Sequence, residues 1–222
     1  MTLARRATAE AVGTGVLVAT VVGSGVAASR LSPTDAGLQL LHNSLATGAV
    51  LVALIAALQP VSASFNPVVT LVEWARGSLD RRQVTALVPA QLAGGAGGAV
   101  VANLMFELPA VDLSGHDRAT AATLLAEVVA TAGLVVVVLG SLRSGRVETV
   151  ALAVGGYIAA AYWFTSSTSF ANPAVTAARA LTDSFAGIAP ASVLPFVAAQ
   201  LVGGVVGLSA AAHLFPTHEE TR

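Results

Sequence analysis

Two stretches of the chain read nearly alike: SASFNPVVTLVEWARG at Ser62–Gly77 and TSFANPAVTAARALTD at Thr168–Asp183. Each sets Ser-Phe just ahead of Asn-Pro, follows with an apolar pair and Thr, and continues for about two helical turns. Asparagine is a good helix cap because its side-chain oxygen takes an orphan backbone N–H, and proline suits the first helical turn. The helix after Asn66 runs about ten residues before Gly77, and the one after Asn172 runs as far, to about Leu181. Ten residues rise ~15 Å, half of a ~30 Å hydrocarbon core. Both stretches read as half-helices.

What surrounds them is apolar. The chain is 55% hydrophobic and 10% charged, where soluble domains carry about 25% charge. Six long apolar segments, roughly 7–28, 38–59, 84–106, 120–141, 147–165 and 191–214, reach the ~20 residues that span a bilayer. The first resembles a secretory signal, with Arg5 and Arg6 ahead of an apolar run. It is too long for a signal core and carries Glu10, so it reads as a retained span. The result is an all-α, polytopic membrane protein forming one channel-sized domain over 1–222. Its net charge of −1 gives no reason to expect nucleic acid. The absence of cysteine excludes disulfides and thiolate metal sites, and nothing calls for a cofactor or a metal.

The two half-helices belong to an internal repeat. Asn66 and Asn172 lie 106 positions apart, PAQLAGGAGGAV (Pro89–Val100) matches AAQLVGGVVGLS (Ala198–Ser209), and Glu10 matches Glu127 of LLAEVVATAG. Repeat 1 covers about 1–110 and repeat 2 about 118–222. Each repeat has two spans, an Asn-Pro half-helix and a third span. Three is odd, so the halves cross the membrane in opposite senses, an arrangement that places solute sites where the repeats meet. With the N-terminus inside, Arg5, Arg6, Arg76, Arg81, Arg82, Arg143, Arg146 and Arg222 are cytoplasmic and Arg30, Arg118 and Arg179 external. By the positive-inside rule both termini are expected in the cytoplasm.

Backbone that breaks inside a membrane must be buried in protein or line a watery cavity. A helix N-terminus carries about half a positive charge. Two half-helices entering from opposite sides therefore bring two positive ends and two asparagine amides together at mid-membrane. Such a constriction donates hydrogen bonds to a passing oxygen and repels cations, protons included. It suits neutral, oxygen-bearing solutes.

On the paired boxes Asn66-Pro67-Val68 and Asn172-Pro173-Ala174, the glutamate of AEAVGTG and the AQLAGG segment, the chain resembles the aquaporin and aquaglyceroporin family over nearly its whole length. The resemblance implies a right-handed bundle of six tilted spans and two re-entrant half-helices. It also implies a pore in each subunit, a homotetramer in the lipid bilayer of the plasma membrane, and no enzymatic activity. It gives Glu10 and Glu127 a structural task, accepting hydrogen bonds from the re-entrant loops with help from Gln91 and Gln200. A proton relay is the competing reading of those glutamates.

The departures from the family pattern concern the filter. Val68 stands where alanine is usual in the first box. Val175 stands directly after the second box, where the family usually carries arginine. Counting from the boxes gives Thr47, Ala160 and Ser169 as the other filter positions. Thr47 requires a one-residue gap, without which Ala46 falls there, and Tyr162 is the neighbour that changes the picture if Ala160 is out of register. Thr47, Ala160, Ser169 and Val175 make a wide, weakly polar ring. Val175 with Thr47 resembles a bacterial subgroup found with arsenic-resistance genes. That implies passage of small neutral solutes such as arsenous acid, methylated arsenicals, glycerol-like polyols and water. Refilling of the ring by Phe170 or Tyr162 leaves a water-selective pore as the alternative. An ion-coupled transporter or a non-conducting homologue remain further alternatives.

The glycines at 94, 95, 97 and 98 and at 203, 204 and 207 read as close helix packing. Trp74 and Trp163, near the ends of apolar segments, read as interfacial anchors. His42, His116, His213 and His218 lack metal-ligand spacing, and the tail PTHEETR reads as a solvated end.

Overall fold

The computed structural model describes residues 1–215; the tail from residue 216, with His218 and Arg222, lies outside them. The described chain is helical, with α1 (Leu3–Leu31), α2 (Ala36–Leu58), α3 (Pro67–Ala75), α4 (Arg81–Met105), α5 (Ala121–Leu142), α6 (Val147–Phe164), α7 (Pro173–Arg179) and α8 (Pro190–Leu214). Six of these are long and apolar enough to cross a membrane, and they coincide with the six apolar segments within a few residues. The other two, α3 and α7, are the half-helices, of 9 and 7 residues. The chain is a multi-pass membrane protein.

The starts of the helices follow their sequence. Asn66 and Asn172 cap α3 and α7 in extended conformation, each with proline at the first helical position. Asp80 and Gln83 cap α4 reciprocally, as Thr120 and Thr123 do for α5. Those side chains satisfy donors that a helix start otherwise leaves orphaned.

The packing repeats in the two halves. α1 lies most extensively along α4 and α5 along α8, while α2 meets α6 between the halves. In the first seam a side chain on Gly94 or Gly98 would run into the backbone carbonyls of Ala11 and Gly15; in the second, Gly203 and Gly207 face the carbonyls of Val128 and Ala132 in the same way. Absent side chains let these backbones touch, which drives helix association where lipid removes the hydrophobic incentive. Each half-helix also crosses to the other half, α3 against α8 and α7 against α4. That exchange locks the repeats together around the centre. Successive spans alternate in direction, so the N-terminus, Gly77 and the α5–α6 turn share one face, called here the terminal face. The loop from Glu107 to Thr120 and the C-terminal end of α7 share the opposite face.

Candidate functional site

The two re-entrant loops meet tip to tip. Asn66 Nδ2 donates to the carbonyl of Ala171 at 2.8 Å, and Asn172 Nδ2 donates to the carbonyl of Phe65 at 2.7 Å. Each asparagine's oxygen meanwhile accepts from its own half-helix, from Val68 N at 2.9 Å and from Ala174 N at 3.0 Å. A side-chain amide has two N–H donors, so each asparagine keeps one free. Both residues are buried, at 5% and 6% exposure, and both border the central cavity. The free N–H of each is what the passage presents at its midpoint.

The residues that accept these cross-bonds, Phe65 and Ala171, both hold φ of 47°. That left-handed conformation costs an L residue roughly 1–2 kcal/mol. Carboxylates hold it in place. Glu10 accepts from Ser62 Oγ at 2.6 Å, Ser64 N at 2.9 Å, Phe65 N at 2.7 Å and Gln91 Nε2 at 2.7 Å. Glu127 accepts from Phe170 N at 2.9 Å, Ala171 N at 2.9 Å and Gln200 Nε2 at 2.6 Å. Each glutamine donates onward, Gln91 to Thr70 Oγ1 and Gln200 to Thr176 Oγ1. Both glutamates are fully buried and neither borders the cavity. Both carboxylates are thus taken up by the re-entrant loops and the two glutamines, away from the cavity.

The cavity, about 260 Å³, runs from Arg6 on the terminal face, past both asparagines, to Arg179 on the opposite side. Its wall is largely aliphatic. Val69 and Val175, each three residues past its asparagine, flank the asparagine pair. Of the residues placed in the filter by counting, Thr47, Ser169 and Val175 border the cavity. Ala160 does not: it lies exposed on the outer surface of α6. The wall of that helix is Val150, Val154, Ile158 and Tyr162, one residue per turn, and Ala160 sits two residues from the last two, about 200° around. On α6 it is Tyr162, not Ala160, that borders the cavity at this end. Its hydroxyl pairs with Thr47 Oγ1 at 3.1 Å.

Three groups on the wall escaped the count. Tyr162 was visible only as a neighbour of Ala160. Arg179 stands one turn beyond Val175 on the same side of α7, and Glu73 stands at the matching place on α3, seven residues after Asn66 as Arg179 is after Asn172. Glu73 accepts from Ser64 Oγ at 2.7 Å. The repeat offset, applied residue by residue to the half-helices, would have found this pair.

The loop on the opposite face is pinned by polar contacts. Arg118 Nε donates to the carbonyl of Gly187 at 2.6 Å, and Asp117 accepts from Ser192 Oγ at 2.6 Å. The Ser192 hydroxyl, followed by the Ala119 N–H, holds the Asp117 carboxyl below the usual aspartate range. His116 and Asp183 approach to 3.6 Å at the surface.

Inverted repeats and capped half-helices meeting tip to tip beside a central cavity are the plan of a pore. Residues 1–146 match the family described as major intrinsic protein. The chain belongs to that family. Its aquaglyceroporin members are channels and not enzymes. The chain is 51% identical over 208 residues, 93% of its own length and 88% of the relative's, to aquaglyceroporin AqpS of Rhizobium meliloti (strain 1021). In fold it is similar to the crystallographic aquaglyceroporin of Plasmodium falciparum, with a TM-score of 0.69 at 17% identity, covering 98% of this chain and 97% of the other. That likeness shows the helical bundle and its two half-helices.

Proposed function

We propose that the chain is a passive channel for small uncharged solutes carrying hydroxyl groups, glycerol-like polyols first, with arsenous acid, methylated arsenicals and water as further permeants. The observation that carries this reading is the asparagine pair: two amides, each with one N–H committed to the scaffold and one left over beside a largely aliphatic passage. A solute must exchange water for those two donors and apolar walls. A polyol does so readily, whereas an ion would have to give up a hydration shell that nothing here replaces. The positive ends of α3 and α7 add to the barrier against cations. The 51% identity to a protein named an aquaglyceroporin points the same way. In this reading Val175 and Thr47 keep the filter wide enough for As(OH)3, a neutral molecule with a polyol's hydroxyl display.

A second reading, a water-selective pore, draws on Tyr162. Its ring stands in the filter wall where counting expected the small Ala160, and it is tied to Thr47. Stopped-flow light scattering on proteoliposomes separates the two. Glycerol and arsenite shrink-and-swell traces well above empty vesicles are expected; fast water flux alone would defeat the wide-filter reading. Flux should be indifferent to imposed sodium or proton gradients, and dependence on either would support a coupled transporter instead.

The terminal face is cytoplasmic in this proposal, since it gathers Arg5, Arg6, Arg76, Arg81, Arg82, Arg143 and Arg146 among the described residues. The plasma membrane is the proposed location and a homotetramer the proposed assembly. Native mass spectrometry from detergent micelles tests the latter.

A further inference from the structure

Val175 leaves the position after the second box without a charge, yet the structure brings a guanidinium to that side of the asparagine pair. Arg179 follows Val175 by four residues on α7, so it shares that face about 6 Å farther from the midpoint, and both border the cavity. Arg179 is only 2% exposed. Its Nε donates to the carbonyl of Ala186, and its guanidinium carbon lies 3.4 Å from the centroid of the Phe170 ring. Among the described residues Nη1 and Nη2 find no acceptor, and Arg179 borders the passage.

No described carboxylate pairs with this cation, since the one described ion pair is His116 with Asp183. The two charged groups that act on it are Arg118, itself 5.5 Å from the Phe170 centroid, and Glu127. Glu127's oxygens are already taken by the loop and Gln200.

We propose that Arg179 is the cation-excluding, hydrogen-bond-donating residue of the outer filter, displaced one helical turn outward from position 175. The assignment rests on the channel reading above. A positive charge in a poorly solvated passage raises a barrier to monovalent cations. Its two amino groups offer N–H to a polyol hydroxyl before the solute reaches the asparagines. Stacking on Phe170 keeps the guanidinium against the wall, so the space beside Val175 stays open. The pore thus combines a wide aliphatic ring with a charge checkpoint one turn away.

Reconstituted full-length chain tests this, with glycerol followed by light scattering and potassium by a fluorescent indicator inside the vesicles. Arg179→Gln keeps an amide that can still donate to Ala186 while removing the charge. It is expected to raise potassium leak about tenfold and to lower glycerol flux severalfold, since both amino groups that meet a polyol hydroxyl are lost. Val175→Arg added to Arg179→Gln is expected to restore the tight state, which a purely structural role for Arg179 would not produce. Arg179→Lys carries an independent test should the glutamine variant not fold: it is expected to be tight at low pH and to leak as the pH rises through the lysine's own pKa, which burial sets below the ~10.4 of a free lysine, while the wild type stays tight. A folded Arg179→Gln that remains potassium-tight, or a lysine variant with a flat pH profile, overturns the assignment. A wild-type chain that conducts no glycerol instead defeats the channel reading, whatever Arg179 does.

Discussion

The two re-entrant segments are built to one plan and finished differently. In both, an asparagine caps a half-helix, the preceding left-handed residue receives the partner's amide, and a buried glutamate with a glutamine and a threonine secures the loop. The differences begin away from that frame. Glu10 takes four donors and Glu127 three. At matching places seven residues past the asparagines, the first half carries the carboxylate Glu73 and the second the guanidinium Arg179. The frame fixes where the two asparagines meet and tolerates little change, because its glutamates, glutamines and threonines are fully buried. The two mouths can take opposite charges on the same frame.

The strongest way to test that frame is to remove its carboxylates. Each buried donor left without an acceptor costs about 1–3 kcal/mol, so Glu10→Ala and Glu127→Ala are each expected to lose several kcal/mol of stability. Glu10→Ala should lose more, having one further donor to abandon. Thermal unfolding in detergent reads both; equal losses would erase the asymmetry between the halves.

Val175→Arg sharpens the comparison at the filter. A guanidinium there, one turn inward of Arg179, is expected to lower glycerol and arsenite flux about tenfold, roughly 1.4 kcal/mol in the barrier, with some water flux kept. Unchanged solute flux would show that position 175 does not set the width of the passage.

The smallest effect is expected at the Thr47–Tyr162 contact. Thr47→Val removes one hydrogen bond worth about 1 kcal/mol net, so the unfolding midpoint should fall slightly and glycerol flux should stay within about twofold. Tyr162→Phe should match it. A large change in flux from either would make this bond a gate in its own right.

How far the site could be read from the chain differs between its frame and its wall. The asparagines, their prolines and the supporting Glu10, Glu127, Gln91 and Gln200 are polar residues in an apolar background, and they recur at repeat spacing. Each stands out in a linear reading. The wall residues do not. α6 is apolar on every side, because one side meets the cavity and the other meets lipid, so hydrophobic periodicity marks no inner face. Residues 165–171 are non-helical, and counting back through them from Asn172 carries no rotational information. That is why counting sets Ala160 at a level where the wall is Ile158 and Tyr162. Arg179 was legible only as a charge near an outer loop, since its direction depends on the Phe170 ring and the Ala186 carbonyl, both supplied by the fold.

By itself the amino-acid order determined six crossings, two half-helices and their inversion, because span length, capping chemistry and repeat offset are properties of the chain alone. Tertiary structure decided which side chains face the passage and which amide hydrogens remain free to meet a solute. A helix surrounded by lipid and protein has no polar face to announce its orientation; only the packing of its neighbours selects one.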